Sequence, residues 1–125
     1  MKKIIALLLG LLGLTANASA QSDSIKTVDA AQFAEFINSD SVLLVDVRTA
    51  EEYAAGHIAN AKNIDVLKSD FKDQVEVLPK DKEIAVYCRS GKRSLMAANT
   101  LAKMGYKVIN LRGGWKEWQQ FIQKK

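Results

Sequence analysis

Short apolar runs that alternate with segments of helical spacing are the feature that most constrains how this chain folds. Residues 42–47 form a continuous apolar run with one acidic residue, which is typical of a strand buried on both faces. Residues 83–87 and 107–111 are similar runs, and shorter strands are expected at 26–28 and 61–64. Strands that alternate with helices predict an α/β fold, with a mainly parallel sheet and helices on both faces.

The segments between these runs have their apolar residues on one face, as helices do. Residues 65–78 predict a helix or a pair of turns, with Leu67, Phe71, Val75 and Leu78 pointing inward. In the helix expected at 93–103, Leu95, Ala98 and Leu101 should face the core. The other helices are predicted at 29–38, after a capping Asp29; at 49–56, after a capping Thr49; and at 115–122.

The first 20 residues have the pattern of a signal peptide. Lys2 and Lys3 give a basic start, residues 4–14 are apolar apart from two glycines, and Ala18 and Ala20 fit the small-residue rule for cleavage. A membrane anchor is the weaker interpretation, because the apolar run is shorter than the ~20 residues that a spanning helix needs. We therefore expect a signal peptide over 1–20 and a mature domain over 21–125, exported to the periplasm or beyond.

The charge balance argues against nucleic acid or an anionic membrane as a partner of the mature chain. Without Lys2 and Lys3, 16 of the 18 basic residues remain against 14 acidic ones, a net charge of +2. That excess is too small to indicate a polyanion-binding surface. We expect no contact with the membrane after the signal is cleaved.

Cys88 is the single cysteine, and its surroundings favour a reactive thiolate over a buried, inert thiol. It follows an apolar strand, so it should lie at the carboxyl edge of the sheet, where open α/β folds bind ligands. A short loop to a helix start presents backbone amides and the positive end of the helix, and three cations follow in sequence. The candidate site residues are Cys88, Arg89, Ser90, Gly91, Lys92, Arg93 and Ser94.

Three further residues have a possible role near the loop. Asp46 and Arg48 are possible orienting residues of the loop; alternatively the pair fixes the turn after the strand, with Arg48 bridging to Glu51 or Glu52. His57, the only histidine, is expected to hydrogen-bond its own chain rather than act in catalysis. One histidine and one cysteine fall short of a zinc site, so neither a metal nor a cofactor is expected.

Three ordered motifs resemble those of rhodanese-homology domains and together cover nearly all of residues 25–122. They are DVR at 46–48 with EY at 52–53 and GHI at 56–58; YCRSGKRS at 87–94; and GY at 105–106 with NL at 110–111 and GG at 113–114. The resemblance implies a five-stranded, mainly parallel sheet. It also implies transfer of sulfur from an anionic donor such as thiosulfate, through a persulfide on Cys88, to cyanide or a thiol.

Two other functions stay open beside this one. The domain could hand sulfur to a partner protein with little turnover on small molecules. A cysteine phosphatase or arsenate reductase is less favoured, because those enzymes have five residues between cysteine and arginine. Here four residues separate Cys88 from Arg93, and the smaller ring suits a single sulfur atom.

Overall fold

The computed structural model describes residues 23–124, and within them five strands form one parallel sheet. The predicted signal peptide, residues 1–20, lies outside the described residues, as do residues 21, 22 and 125 of the predicted mature domain. The spatial order is β1-β5-β4-β2-β3, which places β4 at the centre. The strands are β1 (Ile25–Val28), β2 (Val42–Asp46), β3 (Lys62–Asn63), β4 (Glu83–Tyr87) and β5 (Val108–Leu111).

Five helices connect and follow these strands in the described part of the chain. Thr49 caps α2 as expected, because its hydroxyl accepts from the amide of Glu52 at 3.2 Å and the Glu52 carboxylate accepts from the amide of Thr49 at 3.1 Å. The helices are α1 (Ala30–Ile37), α2 (Ala50–Ala55), α3 (Phe71–Glu76), α4 (Lys92–Lys103) and α5 (Gly114–Gln123). The α4 helix therefore begins one residue earlier than predicted and has no side-chain cap.

Apolar side chains cover both faces of the sheet, which confirms the expected layered α/β architecture. On one face Phe71 and Val75 of α3 and Leu101 of α4 pack against the strands, and Cys88 belongs to this cluster. On the other face Phe33 of α1 is fully buried, with the aromatic residues of α5 against it. Burial of this apolar surface is the main favourable contribution to folding.

The segment before α3 differs from the expected pattern. Leu67 was predicted to point inward, but 61% of it is exposed. Residues 65–70 form turns rather than a helix, so the helical spacing that assigned Leu67 to the core does not apply there. Leu95 of α4 is likewise only partly buried. Between residues 23 and 124, no helix combines the length and the apolar character that crossing a bilayer requires.

Candidate active site

Cys88 lies directly after β4, at the carboxyl edge of the sheet and just before α4. Only 1% of the residue is exposed, so its thiol lies on the floor of the loop rather than at its surface. The amide of Gly91 donates to the Cys88 Sγ at 3.1 Å, and the Ser94 Oγ lies 3.5 Å from the same sulfur. The loop thus surrounds one sulfur atom with polar groups.

The electrostatic environment lowers the pKa of Cys88. Burial of the thiol acts in the opposite direction, because a thiolate loses hydration there. The Ser94 hydroxyl and the backbone amides of Ser94, Gly91 and Ser90 outweigh that cost by hydrogen bonding to the charged form. A lowered pKa is the direction expected for a nucleophilic cysteine.

Two glycines let the loop pack against the turn between β5 and α5. Gly91 has φ of +110°, and a Cβ added there would collide with the carbonyl oxygen of Arg112. A Cβ on Gly114 would lie 2.5 Å from the Arg89 carbonyl oxygen and 2.6 Å from that of Cys88. The catalytic loop and this turn are therefore in backbone contact, with no side chain between them.

The three predicted cations of the loop do not play equal parts. Arg89 and Lys92 are exposed at the rim, where they can attract an anion. Arg93 instead forms a two-point ion pair with Glu52 of α2, at 2.8 Å and 3.0 Å. Its charge is largely compensated, so the rim cations are the stronger candidates for holding a substrate.

The expected bridge from Arg48 to Glu51 or Glu52 is wrong. The Arg48 Nη2 donates to the Asp46 carboxylate at 2.7 Å and to the Gly56 carbonyl oxygen at 2.7 Å, and both charged residues are buried. Both lie at the end of β2, so the buried carboxylate is the nearest acceptor for the guanidinium. The pair fixes the turn from β2 into α2, which is the structural reading of the two residues.

Aromatic rings connect this buried pair to the loop. The Arg48 guanidinium lies 5.1 Å from the Trp115 ring centroid and 5.6 Å from that of Tyr87, which precedes Cys88. Trp118 packs instead against Phe33 at 6.3 Å, in the second apolar cluster. Of the two tryptophans, Trp115 is the one next to the site.

His57 is exposed and bonds its own chain. Its Nδ1 lies 2.8 Å from the Tyr53 carbonyl oxygen, and its ring stacks on the Tyr53 ring at 3.7 Å between centroids. In the part of the chain that the structure describes, no three histidine, cysteine or carboxylate side chains come together as a metal site would need.

The sequence did not indicate two supports of the loop. Glu52 was predicted as a possible partner of Arg48 and belongs to the EY motif, but its partner Arg93 lies 41 positions further along the chain. The glycine pair at 113–114 belongs to the third motif, which gave no sign of its contact with Cys88 and Arg89. The Thr49-x-x-Glu52 capping box was a readable signal for the orientation of Glu52, but no local pattern identifies a partner in another segment.

Residues 29–121 match the family of rhodanese-like domains. The chain is 40% identical over 96 residues to YtwF of Bacillus subtilis, whose name calls it a sulfurtransferase, with 76% of this chain and 91% of that protein covered. It is 35% identical over 104 residues to YrkF of the same organism, named as a sulfur carrier protein, with 82% and 55% covered.

A solved structure supports the same assignment. The crystal structure of a rhodanese-related protein from Thermoplasma volcanium superposes with a TM-score of 0.69 and 31% identity, over 77% of this chain and 92% of that one. Such relatives support a transferase, with a sulfurtransferase or sulfur-carrier role. The family match and the fold together show that this chain belongs to the rhodanese-like domain family.

Proposed function

We propose that this protein moves sulfane sulfur from an anionic donor such as thiosulfate to cyanide or a thiol, through a persulfide on Cys88. The observation that carries the proposal is the hydrogen bond from the Gly91 amide to the Cys88 Sγ, inside a loop whose rim exposes Arg89 and Lys92. The amide stabilises negative charge on sulfur, and the two cations attract an anionic donor.

The reaction has two displacement steps. The Cys88 thiolate attacks the outer sulfur of thiosulfate, a new S–S bond forms, and sulfite leaves with the electron pair of the bond that breaks. Cyanide then attacks the outer sulfur of the persulfide, which yields thiocyanate and regenerates the thiolate. With a thiol acceptor, the acceptor leaves as a persulfide. Amides aimed at Sγ stabilise the thiolate at the start and at the end of this cycle.

The size of the loop favours sulfur over a tetrahedral oxyanion. Four residues separate Cys88 from Arg93. The carbonyl oxygen of Arg112 packs against Gly91, so the loop has no room to widen there. A thiol that is 1% exposed can be reached by a single projecting sulfur atom more readily than by a bulky group. Phosphate esters and arsenate are therefore the less favoured substrates.

Delivery of sulfur to a partner protein is the second candidate function. One relative is named as a sulfur carrier protein, which supports this role. The chemistry at Cys88 would be the same, but small acceptors would remove the sulfur slowly. A mixed disulfide between Cys88 and a partner, trapped in extracts of the source cells, would favour this second role.

Intact mass after incubation with thiosulfate tests the proposal directly. The wild type should gain the mass of one sulfur atom, lose it when cyanide is added, and release thiocyanate. The Cys88→Ser variant should neither gain this mass nor release thiocyanate. If Cys88 gains no sulfur from thiosulfate or from any other sulfane donor, the proposed function is wrong.

We also propose that the protein is exported, on the basis of the sequence of residues 1–20. Expression of the full chain in a bacterial host, followed by osmotic shock and N-terminal sequencing, tests this. A periplasmic product that begins at Gln21 supports export. A product in the cytoplasmic fraction that still begins at Met1 contradicts it.

A further inference from the structure

We propose that Glu52 is a positioning residue: it holds and neutralises Arg93 beside Cys88, and it thereby sets how strongly the loop attracts negative charge. The inference deepens the proposed function, since it concerns how the same site is tuned. A loop with three cations at the positive end of a helix would otherwise be strongly electropositive. One carboxylate brought in from another helix removes about a third of that charge.

The carboxylate of Glu52 is held by donors on two elements. The Arg93 Nη1 and Nη2 donate to Oε1 and Oε2, at 2.8 Å and 3.0 Å. The Thr49 amide and hydroxyl also donate to Oε1, at 3.1 Å and 3.2 Å. These bonds, led by the one from Arg93, lower the pKa of Glu52 to about 2. Glu52 therefore stays ionised at any pH at which the protein works.

Arg93 lies on the same helix start as the groups around the sulfur, because it is adjacent to Ser94, whose Oγ lies 3.5 Å from the Cys88 Sγ. A negative charge on Cys88 helps to raise the pKa of Arg93, although the bond to Glu52 is the larger cause. The same interaction runs in both directions, so Arg93 favours the Cys88 thiolate. Glu52, which pairs with the same guanidinium, offsets this effect.

The backbone of the loop does not depend on the ion pair. The amides of Trp115 and Lys116 donate to the carbonyl oxygens of Cys88 and Arg89, at 2.8 Å and 3.1 Å. The amide of Leu95 donates to the Gly91 carbonyl oxygen at 3.2 Å. Removing the charge of Glu52 should therefore leave the loop in place and expose the charge of Arg93.

Single and double substitutions of the pair separate this role from a structural one. The readout is the ultraviolet absorbance of the Cys88 thiolate against pH, taken as the difference from Cys88→Ser. On the acidic side of the titration, Glu52→Gln should raise the ratio of thiolate to thiol roughly threefold, because Arg93 is no longer neutralised. Arg93→Gln should lower it by a similar factor, and the double variant should return close to wild type.

A structural clamp predicts a different outcome. If the pair only holds the loop in shape, both single variants weaken the hydrogen bonds to sulfur and shift the ratio in the same direction. That result, or no shift in either variant, would overturn the proposal. Should Glu52→Gln fail to fold, Arg93→Lys is compared with Arg93→Gln. A role of charge predicts that lysine keeps the thiolate ratio and glutamine lowers it, whereas a clamp that needs the two-point pair predicts that both lower it, which would overturn the proposal.

Glu51→Gln is the matched control. It makes the same charge change one residue away in α2, at an exposed position, and should move the titration much less. The titration contains no sulfur donor or acceptor. Its result therefore tests the role of Glu52 even if the protein does not transfer sulfur. The variants leave unchanged the other charged residues on the elements around the loop: Asp46, Arg48, Asp65, Arg89, Lys92 and Arg112.

Discussion

The backbone amide of Trp115 donates to the carbonyl oxygen of Cys88 at 2.8 Å, which joins the start of α5 to the candidate nucleophile. The amide of Lys116 makes the same kind of bond to the Arg89 carbonyl oxygen at 3.1 Å. These bonds satisfy carbonyl groups that would otherwise lack partners at the end of β4. The shape of the loop therefore depends on a turn that is distant in sequence.

Replacing Gly91 by alanine should disrupt the site, whereas the same change at Gly105 should not. Both glycines have positive φ, at +110° and +99°, so each alanine carries a backbone strain of roughly 1–2 kcal/mol. Only at Gly91 does the new Cβ also collide with Arg112, while Gly105 faces open space. Urea unfolding should show the larger loss of stability for Gly91→Ala, together with lost persulfide formation. Equal losses for the two variants would contradict the packing described here.

Ser94→Ala should shift the reaction with thiosulfate toward higher pH. The thiolate is the reactive form, and the lowered pKa of Cys88 keeps it populated as the pH falls. Removing a hydroxyl that stabilises the thiolate raises that pKa, so the rate should begin to fall at a higher pH than in the wild type. Single-turnover persulfide formation, followed by mass across the pH range, measures this.

Ser90→Ala is the control for that experiment. The amide of Ser90 acts on Cys88, and this substitution keeps the amide while removing an exposed hydroxyl. Its pH profile should overlay that of the wild type. A shift as large as that of Ser94→Ala would show that the assigned role of the Ser94 hydroxyl is wrong.

Single substitutions of the buried pair of Asp46 and Arg48 should together cost more stability than the double substitution. Asp46→Asn leaves the Arg48 guanidinium, which is 3% exposed, without its charged partner, at a cost of about 3–5 kcal/mol. Arg48→Met leaves the carboxylate unpaired. The double variant removes both charges, so its loss should be smaller than the sum of the single losses. Additive losses in urea unfolding would argue against a direct interaction.

The depth of Cys88 predicts a dependence on reagent size. Because 1% of the residue is exposed, iodoacetamide should modify it far faster than a bulky aromatic disulfide, once each rate is divided by its rate on the urea-unfolded chain. We expect a difference of roughly tenfold or more, since only the smaller reagent fits under the loop. The Cys88→Ser variant gives the background. Equal normalised rates would mean that the thiol is openly accessible.

Local patterns were sufficient to predict most of the architecture. Buried strands appear as apolar runs, and capping residues mark helix starts, as with Thr49 before α2. Leu67 was misplaced because residues 65–70 are turns, where helical spacing has no meaning. The predicted partner of Arg48 was wrong because Asp46, Glu51 and Glu52 all lie within four positions of it, and only Asp46 is buried.

The candidate site also has a part that local sequence predicts and a part that it does not. Cys88 and the basic loop are contiguous, so one segment of sequence contains them. The pairing of Glu52 with Arg93 and the contact between Gly91 and Arg112 join separate elements, and they follow only from the order of strands in the sheet. Chain order alone does not determine that arrangement.

The close packing of Gly91 on Arg112 and of Gly114 on Cys88 and Arg89 also limits how the reaction of this fold can change. A loop longer by one residue, wide enough for a tetrahedral oxyanion, would push Gly91 against the carbonyl oxygen of Arg112. The insertion is then tolerated only if the turn at Arg112–Gly114 is rebuilt at the same time. We therefore expect that a hydrolase requires two changes together, one in the loop and one in the turn at Arg112–Gly114. An insertion in the loop alone should give a protein that neither transfers sulfur nor hydrolyses a phosphate ester.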